Sequence, residues 1–185
     1  LVTHSYEKAF LKELGIAVST ARAGNVIGGG DFAADRIIPD CVRAVSDGKK
    51  IAVRNPHSTR PYQHVLEPLG AYLMIAGRQY EDPSKAGAYN VGPGDDDCIT
   101  TGQLADFFCE AWGGGASWEN LYQGGPHEAN FLKLDCSRIH STFGWKPHWK
   151  VKEAIAHTVE WYQAWLNGAD MEAYTDIQIK EYFGI

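Results

Sequence analysis

The sequence predicts an α/β fold, because segments with helical spacing of apolar residues alternate along the chain with short β-branched segments. The chain has 185 residues, of which 44 % are hydrophobic and 22 % are charged. A chain of this length can bury about 70 % of the surface that it exposes when unfolded. The composition therefore predicts a globular protein of one domain or slightly more, and excludes collagen, coiled-coil and disordered chains.

The first third of the chain predicts two helices and two strands in alternation. Residues 1–14 carry apolar side chains at helical spacing, and a glycine follows them. Residues 16–27 are apolar and β-branched enough for one buried strand. A second helix is predicted over residues 37–45, and a short strand over residues 50–54. Proline, asparagine and serine then predict a turn-rich loop over residues 55–61.

The remaining elements follow from the same two periodicities. Residues 65–80 predict an amphipathic helix, and residues 88–91 predict a strand. Thr101 is a suitable cap for a helix that runs to residue 112, and Asp135 for a shorter helix that runs to residue 143. Residues 151–166 form the clearest helical pattern of the chain.

The glycine-rich segment at residues 28–33 satisfies the pattern G-x-G-x-x-A directly after a predicted strand. In dinucleotide-binding proteins this pattern is followed, about 20 residues later, by an acidic residue that binds the ribose. Residues 50–54 hold lysines, valine and arginine instead. A plain strand-end loop is therefore favoured, although loops at the carboxyl ends of parallel strands tend to face a ligand crevice.

Charge is distributed unevenly along the chain. The formal net charge is −6, yet residues 36–64 carry six cations and two anions. The acidic balance argues against nucleic acid or an anionic membrane as a partner. A buried diphosphate requires fixed guanidinium groups, and Arg60, in the predicted turn between Thr59 and Pro61, suits that role. The alternative is a solvated basic face.

Two histidines are further candidates. His127 and Glu128 lie in a polar loop and could form an acid/base pair, although adjacent residues rarely point at one proton, so a plain polar loop is the alternative. His64 precedes the predicted helix at residue 65, and it could bind a ligand or only the end of that helix.

Several patterns favour structural roles. The spacing of the four cysteines excludes the usual zinc motifs and predicts reduced thiols. The acidic run at residues 95–97 predicts a solvated turn, because no spaced carboxylate completes a calcium loop. Clustered aromatic residues predict a core beneath the last helices. The residues concerned are Cys41, Cys98, Cys109 and Cys136, and Trp145, Trp149, Trp161, Tyr162 and Trp165.

Six segments, taken in order, closely resemble the CDP-glucose 4,6-dehydratases, which are extended short-chain dehydrogenases/reductases. The resemblance covers nearly the whole chain, and its third and fifth segments are specific to this branch. The segments are Ala21-Arg-Ala-Gly-Asn-Val-Ile-Gly-Gly-Gly-Asp31, Arg36-Ile-Ile-Pro-Asp40, Arg54-Asn-Pro-His-Ser-Thr-Arg-Pro-Tyr-Gln-His-Val-Leu-Glu-Pro68, Asn90-Val-Gly-Pro93, Pro126-His-Glu-Ala129 and Leu132-Lys-Leu-Asp-Cys136.

The resemblance implies the C-terminal part of a Rossmann-type extended short-chain dehydrogenase/reductase, mainly its substrate-binding domain. Residues 1–30 would end the dinucleotide-binding domain, and residues 31–185 would form the substrate-binding domain. Residues 88–92 would return as a strand to the dinucleotide-binding sheet. The implied cofactor is NAD, and the implied substrate is a CDP-sugar. The implied reaction converts CDP-D-glucose into CDP-4-keto-6-deoxy-D-glucose through transient reduction of NAD.

The same resemblance assigns site residues to the chain. The substrate-binding set is Asn25, Arg36, Ile37, Arg54, Asn55, Arg60, His127 and Glu128. Arg22 and Ala23 would lie near the nicotinamide. The family's catalytic Tyr-x-x-x-Lys would precede Leu1, and none of the nine tyrosines of this chain has a lysine four residues later. The expectation is therefore that this chain carries no catalytic residue, that an N-terminal part is missing, and that the chain alone has no dehydratase turnover.

The resemblance also implies a homodimer or larger homo-oligomer and a cytoplasmic enzyme of deoxysugar synthesis, such as that of lipopolysaccharide O-antigen. No apolar run approaches the roughly 18 residues of a membrane span, and no signal peptide is recognised. Two alternatives remain open. One is another nucleotide-sugar epimerase or dehydratase of the same superfamily, and the other is a non-catalytic CDP-sugar-binding module.

Overall fold

A computed structural model describes residues 1–122 and 131–185 of the chain. The helices are α1 (Val2–Tyr6, continued by a π-helical turn over Glu7–Leu11), α2 (Ile37–Ser46), α3 (Leu66–Glu81), α4 (Thr101–Trp112), α5 (Ser137–Phe143), α6 (Val151–Leu166) and α7 (Met171–Phe183). The strands are β1 (Thr20–Ala23), β2 (Asn25–Ile27), β3 (Ile51–Val53), β4 (Thr59–Arg60), β5 (Tyr62–His64), β6 (Ala88–Val91), β7 (Ile99–Thr100) and β8 (Trp118–Asn120). Short 3₁₀ turns cover Pro83–Lys85 and Asp95–Asp97.

The strands associate in pairs, and the predicted α/β class is confirmed. β1 pairs with β6, β2 with β5 and β3 with β8, all in parallel, whereas β4 and β7 are antiparallel. Parallel pairs need crossover connections: α2 lies between β2 and β5 along the chain, and α2 and α3 lie between β1 and β6. That residues 1–30 and 88–92 belong to a dinucleotide-binding domain, and residues 31–185 to a substrate-binding domain, stays a prediction.

The single strand predicted over residues 16–27 is wrong, because Gly24 divides it. β1 lies beside β6, whereas β2 lies beside β5. Gly24 donates its amide to the Val91 carbonyl at 3.0 Å, and a Cβ atom here would lie 2.4 Å from the Pro61 carbonyl oxygen. Only glycine allows the two backbones to approach this closely, and the chain changes its strand partner at this position.

Two large apolar clusters hold these elements in place, and Leu66, Trp149 and Tyr182 form a small third cluster. The larger lies between α4 and α6 and includes fully buried Leu104, Phe108, Ile155 and Val159. The smaller joins α3, β6 and α5. Burial of such side chains stabilises the fold by about 1.5–3 kcal/mol for each residue. Both clusters are built from the residues that the helical and strand periodicities predict to be apolar.

The structure confirms some of the structural roles and corrects others. All four cysteines are free thiols. Trp149, Trp161 and Tyr162 are buried as predicted, but Trp165 is 42 % exposed. The solvated turn at residues 95–97 is wrong in part, because the Asp97 carboxylate accepts the Val151 amide at 2.8 Å and so caps α6.

Candidate functional site

A cavity of about 440 Å³ opens beside the carboxyl end of β2. Its walls are residues 24–28, Asp31, residues 35–39 and Tyr62. β2 and β5 form one wall because Asn25 stands opposite Tyr62 in their parallel register. The first turn of α2 forms another wall. Strand ends and the first turn of a helix are where α/β proteins commonly bind ligands.

Three of the predicted substrate-binding residues meet in this cavity. Asn25 begins β2, where its backbone N–H donates to the Pro61 carbonyl at 2.9 Å. The residue is exposed and lines the cavity. Arg36 immediately precedes α2, and its Nη1 lies 3.1 Å from Oδ2 of Asp31. Ile37 is the first residue of α2 and is half-buried. The cavity therefore combines an amide, a guanidinium group and an apolar contact.

Arg54 reaches the rim of the cavity through an ion pair. It follows β3, and its Nη2 donates to Oδ1 of Asp35 at 2.8 Å. The hydrogen bond and charge of Arg54 lower the pKa of Asp35, so this carboxylate is ionised at neutral pH. Since Asp35 lines the cavity, Arg54 is placed beside the cavity rather than in its wall.

Two further predicted residues lie outside the cavity wall. Arg60 is half-buried in β4, where the predicted turn is instead a short strand, and its Nη1 donates to the Thr59 carbonyl at 3.0 Å. The carbonyl of Asn55 accepts the Ser58 hydroxyl at 3.2 Å within a turn. Their substrate roles stay predictions. Phe131 forms a parallel bridge with Thr59, so the chain that follows residue 130 passes next to Arg60. His127 and Glu128 lie outside the described residues.

The glycine-rich loop after β2 serves close packing and borders the cavity. A Cβ atom on Gly29 would lie 2.1 Å from the ring of Trp161. The hydroxyl of Tyr162 donates to the Asp31 carbonyl and ties the same loop to α6. These contacts favour the plain strand-end loop over a dinucleotide fingerprint. Gly28 and Asp31 line the cavity, as expected for a loop that faces a ligand crevice.

His64 binds the end of a helix, which is the second of its two predicted alternatives. Its Nδ1 accepts the Leu66 amide at 3.3 Å, and its ring packs edge-on against Trp149 at a centroid distance of 4.9 Å. Within residues 1–122 and 131–185, its Nε2 finds no hydrogen-bond partner. Burial, helped by the nearby ring of His157, lowers the pKa of His64 to about 4.

This lowered pKa predicts a loss of stability in acid. In the unfolded chain the ring titrates near its ordinary value of about 6.5, so between that pH and 4 protonation favours unfolding. The neutral ring contributes fully to the free energy of unfolding above pH 6.5. Up to about 3 kcal/mol of that contribution is lost as the pH falls towards 4. Urea denaturation should show that the free energy of unfolding decreases less between pH 7 and pH 4.5 for His64→Gln than for the native chain. Equal changes in the two proteins would contradict this role.

The cofactor roles assigned to Arg22 and Ala23 stay predictions. Arg22 and Ala23 end the parallel strand β1, and Gly24, the next residue, lines the cavity. Nucleotides bind at the carboxyl ends of parallel strands in α/β folds. Of the described residues, no group of three His, Cys, Asp or Glu side chains is arranged to hold a metal ion. In the same part of the chain, none of the helices is long and apolar enough to cross a membrane.

Sequence analysis alone missed three residues of this site. Asp31, Asp35 and Tyr62 line the cavity, and the two aspartates hold Arg36 and Arg54. Asp31 could have been found from its place directly after the glycines at a strand end. The Asp35 to Arg54 pair spans 19 residues, and nothing in local sequence predicts it.

Comparison with known proteins finds a relative that matches nearly the whole chain. The chain is 40 % identical to CDP-glucose 4,6-dehydratase of Salmonella typhimurium over 188 aligned residues, which cover 98 % of this chain and 52 % of that protein. The chain is therefore similar over nearly its whole length to a CDP-glucose 4,6-dehydratase. It spans about half the length of this relative. No protein-family model matches the chain.

Solved structures of nucleotide-sugar enzymes share the fold of the chain. The UDP-N-acetylglucosamine 4-epimerase of Methanobrevibacter ruminantium superposes with a TM-score of 0.72 at 20 % identity, over 89 % of this chain and 50 % of its own. The dTDP-glucose 4,6-dehydratase of Bacillus anthracis, solved with NAD, superposes with a TM-score of 0.68 at 18 % identity, over 86 % of this chain and 47 % of its own. These likenesses show that the chain has the Rossmann-type extended short-chain dehydrogenase/reductase fold.

Proposed function

We propose that this chain carries the nucleotide-sugar-binding part of a CDP-glucose 4,6-dehydratase. The proposed substrate is CDP-D-glucose, the cofactor is NAD, and the product is CDP-4-keto-6-deoxy-D-glucose. The observation that carries the proposal is the meeting of Asn25, Arg36 and Ile37 in one cavity. The resemblance assigns the same three residues to the substrate.

The charges around the cavity suit a diphosphate. Arg36 lies in the wall and Arg54 at the rim, so two guanidinium groups border one opening. A charge-assisted hydrogen bond to a phosphate contributes about 1.5–3 kcal/mol, and a guanidinium group can make two in parallel. The Asn25 amide can both donate to and accept from sugar hydroxyls. Ile37 supplies an apolar surface for a sugar or base face.

In this proposal the chain binds and orients the substrate for chemistry that needs further groups. When bound, NAD supplies the acceptor for the hydride that leaves C4 of the sugar, and the donor of the hydride that returns to C6. Arg22 and Ala23 would lie beside it at the end of β1. Their position next to Gly24 would bring the cofactor and the sugar to the same edge of the sheet.

The proposal includes an absence of turnover by the 185-residue chain itself. Removal of the proton of the C4 hydroxyl group requires a base, and none of the nine tyrosines has the lysine at the fourth following position that lowers a tyrosine pKa in the family that the chain resembles. We expect incubation with CDP-glucose and NAD to leave the sugar unchanged. Dehydration would remove one water from the sugar nucleotide, and mass spectrometry should detect no such loss. A keto-sugar product from the purified chain would refute this part of the proposal.

Ligand titration tests the binding role. Isothermal titration with CDP-glucose should show binding that Arg36→Ala or Arg60→Ala weakens by about 1.5–3 kcal/mol, because each variant loses charge-assisted bonds to phosphate. Arg78→Ala is the matched control, since Arg78 is exposed on α3 and pairs with Glu81 at 3.5 Å. Equal affinities for Arg36→Ala and Arg78→Ala would remove Arg36 from the site. Equal affinities for Arg60→Ala and Arg78→Ala would likewise remove Arg60 from the site.

One alternative is supported by the solved structures, which include UDP-sugar 4-epimerases. In that case the chain would belong to an enzyme that acts on another nucleotide sugar. Titration with UDP-glucose and dTDP-glucose alongside CDP-glucose separates the two functions, because the proposed enzyme should prefer the cytidine nucleotide. A non-catalytic CDP-sugar-binding module would share that preference. It would form no product even within the full-length protein.

The proposal extends to assembly and setting. Self-association as a homodimer or larger homo-oligomer is supported by large apolar residues that are exposed around α1, namely Leu1, Val2, Tyr6, Phe10 and Leu14. A cytoplasmic location and a role in deoxysugar synthesis for lipopolysaccharide follow from the proposed reaction. The formal charge of −6 supports the expectation that neither nucleic acid nor an anionic membrane is a partner.

A further inference from the structure

We infer that Asp35 is an internal competitor of the substrate, because its carboxylate occupies the Arg54 guanidinium group that a phosphate would otherwise bind. The inference rests on the proposed function. It assigns a role to an acidic residue in a site whose ligand is itself an anion. Asp35 would thereby set how tightly an anionic ligand must bind Arg54 in order to displace the carboxylate.

The geometry of the pair is that of an exchangeable contact. Nη2 of Arg54 lies 2.8 Å from Oδ1 of Asp35, and the side chains are 72 % and 77 % exposed. An ion pair this exposed adds little to stability, because water solvates both charges well when they separate. A phosphate that arrives at the cavity can therefore replace the carboxylate at small cost, provided that it offers more than one negative oxygen.

The backbone fixes Asp35 in this position. Its φ of 62° is in the left-handed region, and elsewhere in the described residues positive φ values occur only at glycines. Arg43 holds the preceding loop by donating to the carbonyls of Phe32 at 3.2 Å and Ala33 at 3.1 Å. Asp35 is thus held beside the cavity by the loop and α2, whichever ligand is present.

A second acid in the same loop shows why Asp35 is the residue to test. Asp31 pairs with Arg36 at 3.1 Å in a similar way, but it also accepts the Ala33 amide at 3.0 Å. Replacement of Asp31 would change the loop as well as the charge. Asparagine at position 35 removes the charge and tolerates the left-handed backbone nearly as well as aspartate.

We expect Asp35→Asn to bind CDP-glucose about three- to tenfold more tightly than the native chain, because Arg54 loses its competitor and becomes available to the phosphate. Asp47→Asn is the matched control, since it removes the same charge from an exposed pair with Lys49 away from the cavity. The gain should also disappear when Arg54→Ala is combined with Asp35→Asn, because the competitor then has nothing to occupy.

Isothermal titration of the full 185-residue chain with CDP-glucose measures all five proteins: native, Asp35→Asn, Asp47→Asn, Arg54→Ala and the Asp35→Asn/Arg54→Ala double variant. Tighter binding that is specific to Asp35→Asn and depends on Arg54 supports the inference. Equal affinities for Asp35→Asn and Asp47→Asn would overturn it, as would a gain that persists without Arg54. Absence of binding by all five proteins would instead overturn the proposed function, and the inference with it.

Discussion

Replacement of Glu67 by alanine is expected to destabilise the chain by about 3–5 kcal/mol, because it leaves two buried donors and one partly buried donor without an acceptor. Glu67 is fully buried near the start of α3. Its carboxylate accepts the amides of His148 at 3.0 Å and Trp149 at 2.7 Å, and the hydroxyl of Tyr182 at 2.8 Å. One side chain therefore joins α3, the segment before α6, and the end of α7.

Urea denaturation of Glu67→Ala tests this expectation. Glu81→Ala is the matched control, because Glu81 lies at the other end of the same helix and its side chain is exposed. The loss of free energy of unfolding for Glu67→Gln should fall between those of the two alanine variants. Its amide oxygen can still accept some of the hydrogen bonds, while its NH₂ group finds no acceptor. A loss below about 1 kcal/mol for Glu67→Ala would contradict the role, because truncation of a satisfied buried carboxylate costs several times that amount.

The sequence predicts the long elements well because their apolar residues repeat at the period of the element. Residues 151–166 coincide with α6, and the strand at residues 88–91 coincides with β6. Helix boundaries shift by one residue where two capping candidates adjoin. Thr100, not Thr101, caps α4 by accepting the Gln103 amide at 3.1 Å. At α5 the N-cap position is Cys136, but the Asp135 carboxylate accepts the amide of Ser137, the first helical residue, at 2.9 Å, as the predicted cap requires.

Other elements depend on tertiary contacts that local patterns do not record. In α7 the apolar residues are spread around the helix, and Gln178 and Tyr182 are its buried residues, so no apolar stripe marks it. β4, β5, β7 and β8 have only two or three residues each, too few for an alternating pattern. The helix predicted over residues 1–14 becomes π-helical after Tyr6 and ends at Leu11, and none of its residues is buried.

The site was predictable where one segment carries several of its residues. Arg36 and Ile37 adjoin at the start of α2, and the resemblance identified both. The ion pairs that tie Arg36 and Arg54 to aspartates arise only when the loop after β2 folds back over α2 and β3. The function of a guanidinium group depends on such partners, so sequence identified the cations but not the charges that restrain them.

Gly29→Ala is expected to destabilise the chain by about 3 kcal/mol, at the upper end of the range for overpacking, because the new methyl group has no space. The added Cβ would lie 2.1 Å from ring atoms of Trp161. That ring is held in place, since its Nε1 donates to the Thr175 hydroxyl at 3.0 Å and its face meets Tyr162 edge-on. The loop must therefore move, and Gly28 and Asp31, which line the cavity, would move with it.

The variant should lose affinity for CDP-glucose as well as stability, and this combination separates it from an ordinary core defect. Gly77→Ala is the matched control, because Gly77 lies within α3 and a Cβ there meets nothing within 4 Å. Alanine is the better helix former by about 1 kcal/mol, so the control should be slightly more stable than the native chain. Urea denaturation and titration of both variants give the comparison. If Gly29→Ala matched Gly77→Ala in both measurements, the close packing of the loop against Trp161 would not be what holds the cavity wall.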